Sequence, residues 1–185
     1  MPLFSPNRER NFWVLAFFVQ GAIYLTLGLA NRLASLLREY GLATPSFIIT
    51  LLLVGVAIVL ISFGGKVNRT RIGMAVGVTA VYWMASIRIL ALEERTHLFE
   101  YSLVAALIYQ ALLERKKNGR KVPVPAVVAV VVTSLLGLID EGIQFFLPDR
   151  FYDIQDVGFN ALAALMAVGL SAGMSRLERW WENRK

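Results

Sequence analysis

Polar and apolar positions in this chain segregate on the scale of whole helices. Six stretches, at about residues 12–30, 45–63, 72–92, 98–113, 124–147 and 157–174, are apolar almost throughout. A bilayer core roughly 30 Å thick is crossed by about 20 apolar residues in an α-helix. Each stretch therefore predicts a transmembrane helix. The fourth is short, so the count is six, or five if that one does not span. Pro45, Pro123 and Pro125 stand near predicted helix starts and Pro148 ends the fifth helix, the places where proline is tolerated. Residues 31–41, NRLASLLREYG, follow the first stretch. Leu33, Leu36, Leu37 and Tyr40 recur there at helical spacing, with Arg32, Arg38 and Glu39 off that row. This is either a short amphipathic helix lying on the outer membrane surface or the exposed end of helix one. With no low-complexity segment and no internal repeat, one membrane domain over residues 1–185 is expected. The fold class is all-α, a polytopic membrane helix bundle.

Composition agrees and removes other classes. The chain is 57% hydrophobic, too apolar for a soluble domain of 185 residues. It has no cysteine, which excludes disulfides, thiolate metal sites and thiol catalysis. The first apolar run outlasts a signal peptide and lacks a clear small-x-small cleavage site, so an uncleaved first helix is expected. The formal net charge of +6 would raise nucleic acid for a soluble protein. Here the positive-inside rule accounts for it without a nucleic-acid partner. Most of the 19 Lys and Arg residues fall in segments that six helices place on one side: Arg8 and Arg10, then Lys66, Arg69 and Arg71, then residues 115–121, then the end of the chain from Arg176. These loops contact membrane lipids, the first partners expected. Both termini are expected to be cytoplasmic in a multi-pass protein of the plasma membrane. Most of the 13 acids lie on or near the other, outer side. Trp180 and Trp181 beside Arg176 and Arg179 read as an interfacial belt.

Against this background residues 140–160, DEGIQFFLPDRFYDIQDVGFN, stand out. An ionisable group in lipid costs several kcal/mol unless paired or wet, so it marks a functional site by default. On helix five, Asp140 and Gln144 share a face with Thr133 and Gly137, and Glu141 lies about 100° round. Asp140 sits roughly 12 Å below the helix end at Pro148, at the α-helical rise per residue. On helix six Asp156 and Asn160 share a face that continues inward as Ala163 and Ala167, small residues that let helices approach closely. The short link between these helices predicts an antiparallel hairpin with its polar faces together. Helix four opens with EERTHLFEY. Within about 60° of His97 on that helix fall Tyr101, Glu94, Glu93 and Glu100. Arg88, near the outer end of helix three, either reaches the same place or snorkels to the headgroups.

The blocks ERTHLFEYSLVAALIYQAL and DEGIQFFLPDRFYDIQDVGFNAL resemble the VanZ-like family of small membrane proteins. The family pattern sets a Tyr four residues after a His. It continues with Asp-Glu, a Gln three residues on, Pro-x-Arg, and an Asp with an Asn four residues later. Those positions are His97 and Tyr101, Asp140 and Glu141, Gln144, Pro148 and Arg150, and Asp156 and Asn160; Asp153 matches a frequent intervening acid. The resemblance covers roughly residues 80–170. The chain departs from the family at Ala163, where Gly is common, and at Glu93 and Glu94, where Asp-Lys is common. The family takes its name from a glycopeptide-resistance protein associated with teicoplanin. The resemblance thus implies a role at the outer envelope without supplying a reaction.

Two readings of these residues stay open. In one, His97, Asp140, Glu141 and Asp156 form a catalytic acid/base group. Arg150 and Arg88 hold a phosphate or carboxylate. Tyr101, Gln144, Asn160 and Glu94 bind the rest of the substrate. That suits hydrolysis or group transfer on a lipid or lipid-linked cell-wall molecule. In the other, the same groups form a non-catalytic chamber that binds or masks an outer-leaflet ligand such as a glycopeptide or its target. A purely internal network, with Arg150 paired to the acids, is the bland counterpart of both. Asp153 is expected to cap helix six, and Asp149 to be a solvated loop charge. Carboxylates with one His also suit a divalent ion such as Mg²⁺, Mn²⁺ or Zn²⁺. No tightly spaced ligand motif is present. Proton or small-ion translocation is disfavoured, because the acids do not continue inward.

Overall fold

The computed structural model describes residues 6–63, 69–88, 92–147 and 153–182. These form helices α1 (Pro6–Glu39), α2 (Ala43–Phe63), α3 (Arg69–Arg88), α4 (Leu92–Lys117), α5 (Pro125–Gln144) and α6 (Ile154–Glu182), with no strand among the described residues. Three are long and apolar enough to cross a membrane, in the segments Asn7–Leu29, Pro125–Gln144 and Ile154–Leu177; Ala43–Ile58 is apolar but shorter. Residues 31–39 are the last turns of α1 rather than a separate helix. At the α-helical rise, 34 residues extend about 51 Å, well beyond a bilayer core, so this end has length to spare. Gly41 and Gly119, with φ of 66° and 79°, end α1 and α4. After α4, the Gly119 amide donates to the Lys116 carbonyl and the Arg120 amide to that of Arg115, a Schellman closure that needs a left-handed residue.

The bundle is built around α4, which packs against α6, α1, α5 and α2. Its residues from His97 to Leu112 are buried, apart from Glu100 and Leu103. A helix apolar on every side belongs inside. Close approach is made by alanines: Ala105, Ala106 and Ala111 of α4 and Ala163, Ala164 and Ala167 of α6 are fully buried. Many large apolar side chains instead point outward. Phe17, Phe18 and Leu25 on α1, Leu53 on α2, Met84 on α3, Leu135 and Ile139 on α5 and Leu165 on α6 are exposed. Buried polar groups within an apolar exterior invert the arrangement of a soluble domain and match a lipid-facing bundle.

The two ends differ. At one end Glu9 accepts from Arg115 (3.3 Å) and Asn118 (2.9 Å), and Glu114 pairs with Lys117 (2.9 Å) and Arg8 (3.9 Å). These bonds fasten the start of α1 to the end of α4, on the basic side of the chain. The other end gathers the start of α4, the end of α5 and the start of α6.

Candidate functional site

Three helices converge at that end. The 100° between Asp140 and Glu141 on α5 sends their carboxyls to different neighbours. Asp140 faces α4: Tyr101 donates its hydroxyl to Asp140 Oδ2 at 2.8 Å, and His97 Nδ1 lies 3.6 Å from the same oxygen. Glu141 faces the start of α6. Its Oε2 accepts the Asp153 amide at 3.2 Å, and Gln144, one turn on, donates to Oε1 at 3.1 Å. Asp153 caps α6, as expected from its position, because its Oδ1 accepts the Gln155 amide at 2.8 Å. Asp156 follows in the first turn, with Oδ2 4.0 Å from His97 Nε2. The imidazole thus stands between a carboxylate of α5 and one of α6.

The site is dry at its base. Asp140, Glu141, Tyr101 and Asn160 have no exposure, and the Asp156 side chain retains 16%. One ligand atom from each of His97, Glu141 and Asp156 lies within 4.8 Å of the others. Asn160, one turn inward of Asp156, packs on Gly137, one turn inward of Asp140 and Glu141. A Cβ on Gly137 would meet Asn160 Cβ at 2.6 Å and Nδ2 at 2.8 Å. Both polar atoms of the Asn160 carboxamide are buried without a hydrogen-bond partner among the described residues. Burying such a group unpaired is costly, so packing alone does not account for Asn160.

Of the residues singled out in the sequence, the structure brings together His97, Tyr101, Asp140, Glu141, Gln144, Asp156 and Asn160. The side chains of Arg88 and Glu94, and Pro148, Asp149 and Arg150 entirely, lie outside the described residues. Two residues of α1 join the site without having been expected. Tyr24 donates to the Leu136 carbonyl at 2.9 Å, one turn inward of Asp140, and the buried Gln20 lies beside the Tyr24 and Tyr101 hydroxyls. Their signal was available: Gln20 and Tyr24 are one turn apart inside an otherwise apolar run.

Helical architecture, an apolar exterior and a buried His–carboxylate cluster define a membrane-bundle protein with a polar site at one end. The VanZ/LLP1 family model matches residues 46–175, well over half the chain, and the protein belongs to that family. The match begins at α2, upstream of the blocks that carry the resemblance. Neither the curated proteins nor the solved structures contain a significant match.

Proposed function

We propose that this VanZ-like membrane protein is an envelope enzyme that performs acid/base chemistry on a lipid or lipid-linked cell-wall molecule. The observation that carries the reading is His97 held between Asp140 and Asp156. The 4.0 Å between Nε2 and Asp156 exceeds a direct hydrogen bond. It suits an attacking hydroxyl or water bridging the two groups. His97 takes the proton from that oxygen as it attacks a phosphoryl or acyl centre, Asp140 steadies the imidazolium through Nδ1, and the proton is returned to the leaving group as its bond to that centre breaks. Tyr101 and Gln144 hold the two α5 carboxylates in place, and Asn160 is left to bind substrate. Arg150 and Arg88 are assigned to a phosphate or carboxylate of the substrate, and Glu94 to its rim.

The same proposal gives the chain six membrane helices with both termini cytoplasmic and the site opening to the outer leaflet. The basic clusters at the end of the bundle opposite the site support that orientation. The family resemblance extends the proposal to glycopeptide (teicoplanin) resistance. The second reading, a chamber that masks an outer-leaflet ligand without reaction, is favoured by the unpaired Asn160 carboxamide.

The test is teicoplanin susceptibility of a sensitive host expressing the full chain, with membrane abundance measured in parallel. The wild type is expected to raise the inhibitory concentration. His97→Ala and Asp140→Asn are expected to abolish that rise at undiminished abundance. Partial loss in both favours masking. Full activity in both overturns the acid/base reading.

A further inference from the structure

We infer that His97, Glu141 and Asp156 bind a divalent transition-metal ion, of which Mn²⁺ and Zn²⁺ are the chemical representatives. The inference rests on the chamber of the function proposed above but changes one role in it: with Nε2 bound to the ion, His97 is a ligand and not the base, and binding is measured independently of any activity.

The donors come from three helices, and their nearest ligand atoms lie within 4.8 Å of one another. An ion about 2.0–2.2 Å from each ligand sets neighbouring donors about 3–3.5 Å apart. Closing that difference by side-chain rotation is what the inference requires of the three donors. One imidazole and two carboxylates favour Mn²⁺ or Zn²⁺ over a cation that prefers oxygen alone.

Two further observations point to an ion. The first is the surroundings of His97. A metal-bound histidine commonly directs its other ring nitrogen at a carboxylate, which fixes the ring. Here Nε2 faces Asp156 at 4.0 Å while Nδ1 faces Asp140 at 3.6 Å. Tyr101 in turn donates to that Asp140 oxygen at 2.8 Å. Asp140 is therefore a positioning residue, and His97 presents Nε2 to the ion. Gln144 orients Glu141 in the same way. The second is Asn160. It is fully buried on the α6 face that carries Asp156, against Gly137 on the α5 face that carries Asp140 and Glu141, and both its polar atoms are without a hydrogen-bond partner among the described residues. In this assignment its carboxamide, one turn inward of Asp156, is the polar group that the bound ion and its water satisfy. When bound, the ion supplies Lewis-acid activation of a water or of a phosphoryl or acyl oxygen.

The test uses the full chain in lipid nanodiscs, stripped with a chelator and titrated with Mn²⁺ followed by electron paramagnetic resonance, and with Zn²⁺ by calorimetry. One saturable ion per chain is expected for at least one of the two metals. Glu141→Gln and Asp156→Asn keep side-chain shape and are expected to weaken binding at least about tenfold. Asp140→Asn is expected to weaken it about 10–100-fold, the usual effect of removing a histidine's supporting carboxylate, with stoichiometry kept. Glu9→Gln, at the opposite end of the bundle, is expected to leave affinity unchanged. Absence of saturable binding of both metals to the wild type overturns the inference whether or not any variant folds. So does unchanged affinity in Glu141→Gln and Asp156→Asn. Either result leaves the acid/base proposal standing, because that proposal is judged by the susceptibility of His97→Ala and Asp140→Asn cells.

Discussion

At the scale of single residues, Asp140 shows how a carboxyl is kept inside an apolar bundle. It has no exposure, and one of its oxygens receives the Tyr101 hydroxyl at 2.8 Å. Tyr24 makes a comparable bond of 2.9 Å nearby, but to the neutral carbonyl of Leu136. Hydrogen bonds to charged groups contribute about 1.5–3 kcal/mol net, against about 0.5–1.5 for neutral pairs. Tyr101→Phe is therefore expected to destabilise the protein by about 1.5–3 kcal/mol and Tyr24→Phe by about half as much. The midpoint of unfolding in a mild detergent measures both. Equal losses would mean that Asp140 does not depend on Tyr101 for its place.

Elements set how closely these residues can meet. The α5–α6 contact depends on Gly137, because a Cβ there would overlap Asn160. Gly137→Ala is expected to part the two helices and cost about 1–3 kcal/mol, the usual penalty of overpacking. A Cβ on Gly158, also in α6, meets nothing within 4 Å. Gly158→Ala is expected to be neutral or to stabilise by up to about 1 kcal/mol through helix propensity. Thermal unfolding of the pair checks the contrast; similar behaviour would remove Gly137 from the packing argument. The polar faces of α5 and α6 were legible in the sequence because helical periodicity places Asp140 over Gly137 and Asp156 over Asn160. The cap at Asp153 was legible from its place before a helical run. The central position of α4 was not. Its polar residues cluster at its ends, and the stretch between is apolar on all sides, a pattern shared by a lipid-facing and a buried helix. The share of α1 was hidden for a different reason: Gln20 and Tyr24 mark a polar contact without naming the helix that receives it. Whether residues 31–41 leave α1 or continue it also turned on backbone geometry that an amphipathic pattern does not encode.

For the whole molecule, the asymmetry between its ends becomes a statement about the membrane. Basic residues, including Arg115, Lys116, Lys117 and Arg120, gather at the end of α4, beside the Glu9 and Glu114 pairs. The His97 site lies at the start of the same helix, beside the exposed Phe145 and Phe146 that follow α5. With these cations on the cytoplasmic side, as proposed above, the site faces outward. The chain contains no cysteine, so single cysteines can report sidedness without any background to remove. Phe146→Cys is expected to react with a membrane-impermeant maleimide added to intact cells. Lys117→Cys is expected to react only after the membrane is opened. Both positions are well exposed on the bundle, so a failure to label reflects the membrane and not burial in the protein. The reverse pattern would turn the site toward the cytoplasm. It would end the case for an outer-leaflet substrate, while leaving the His97–carboxylate geometry and its metal-binding test intact.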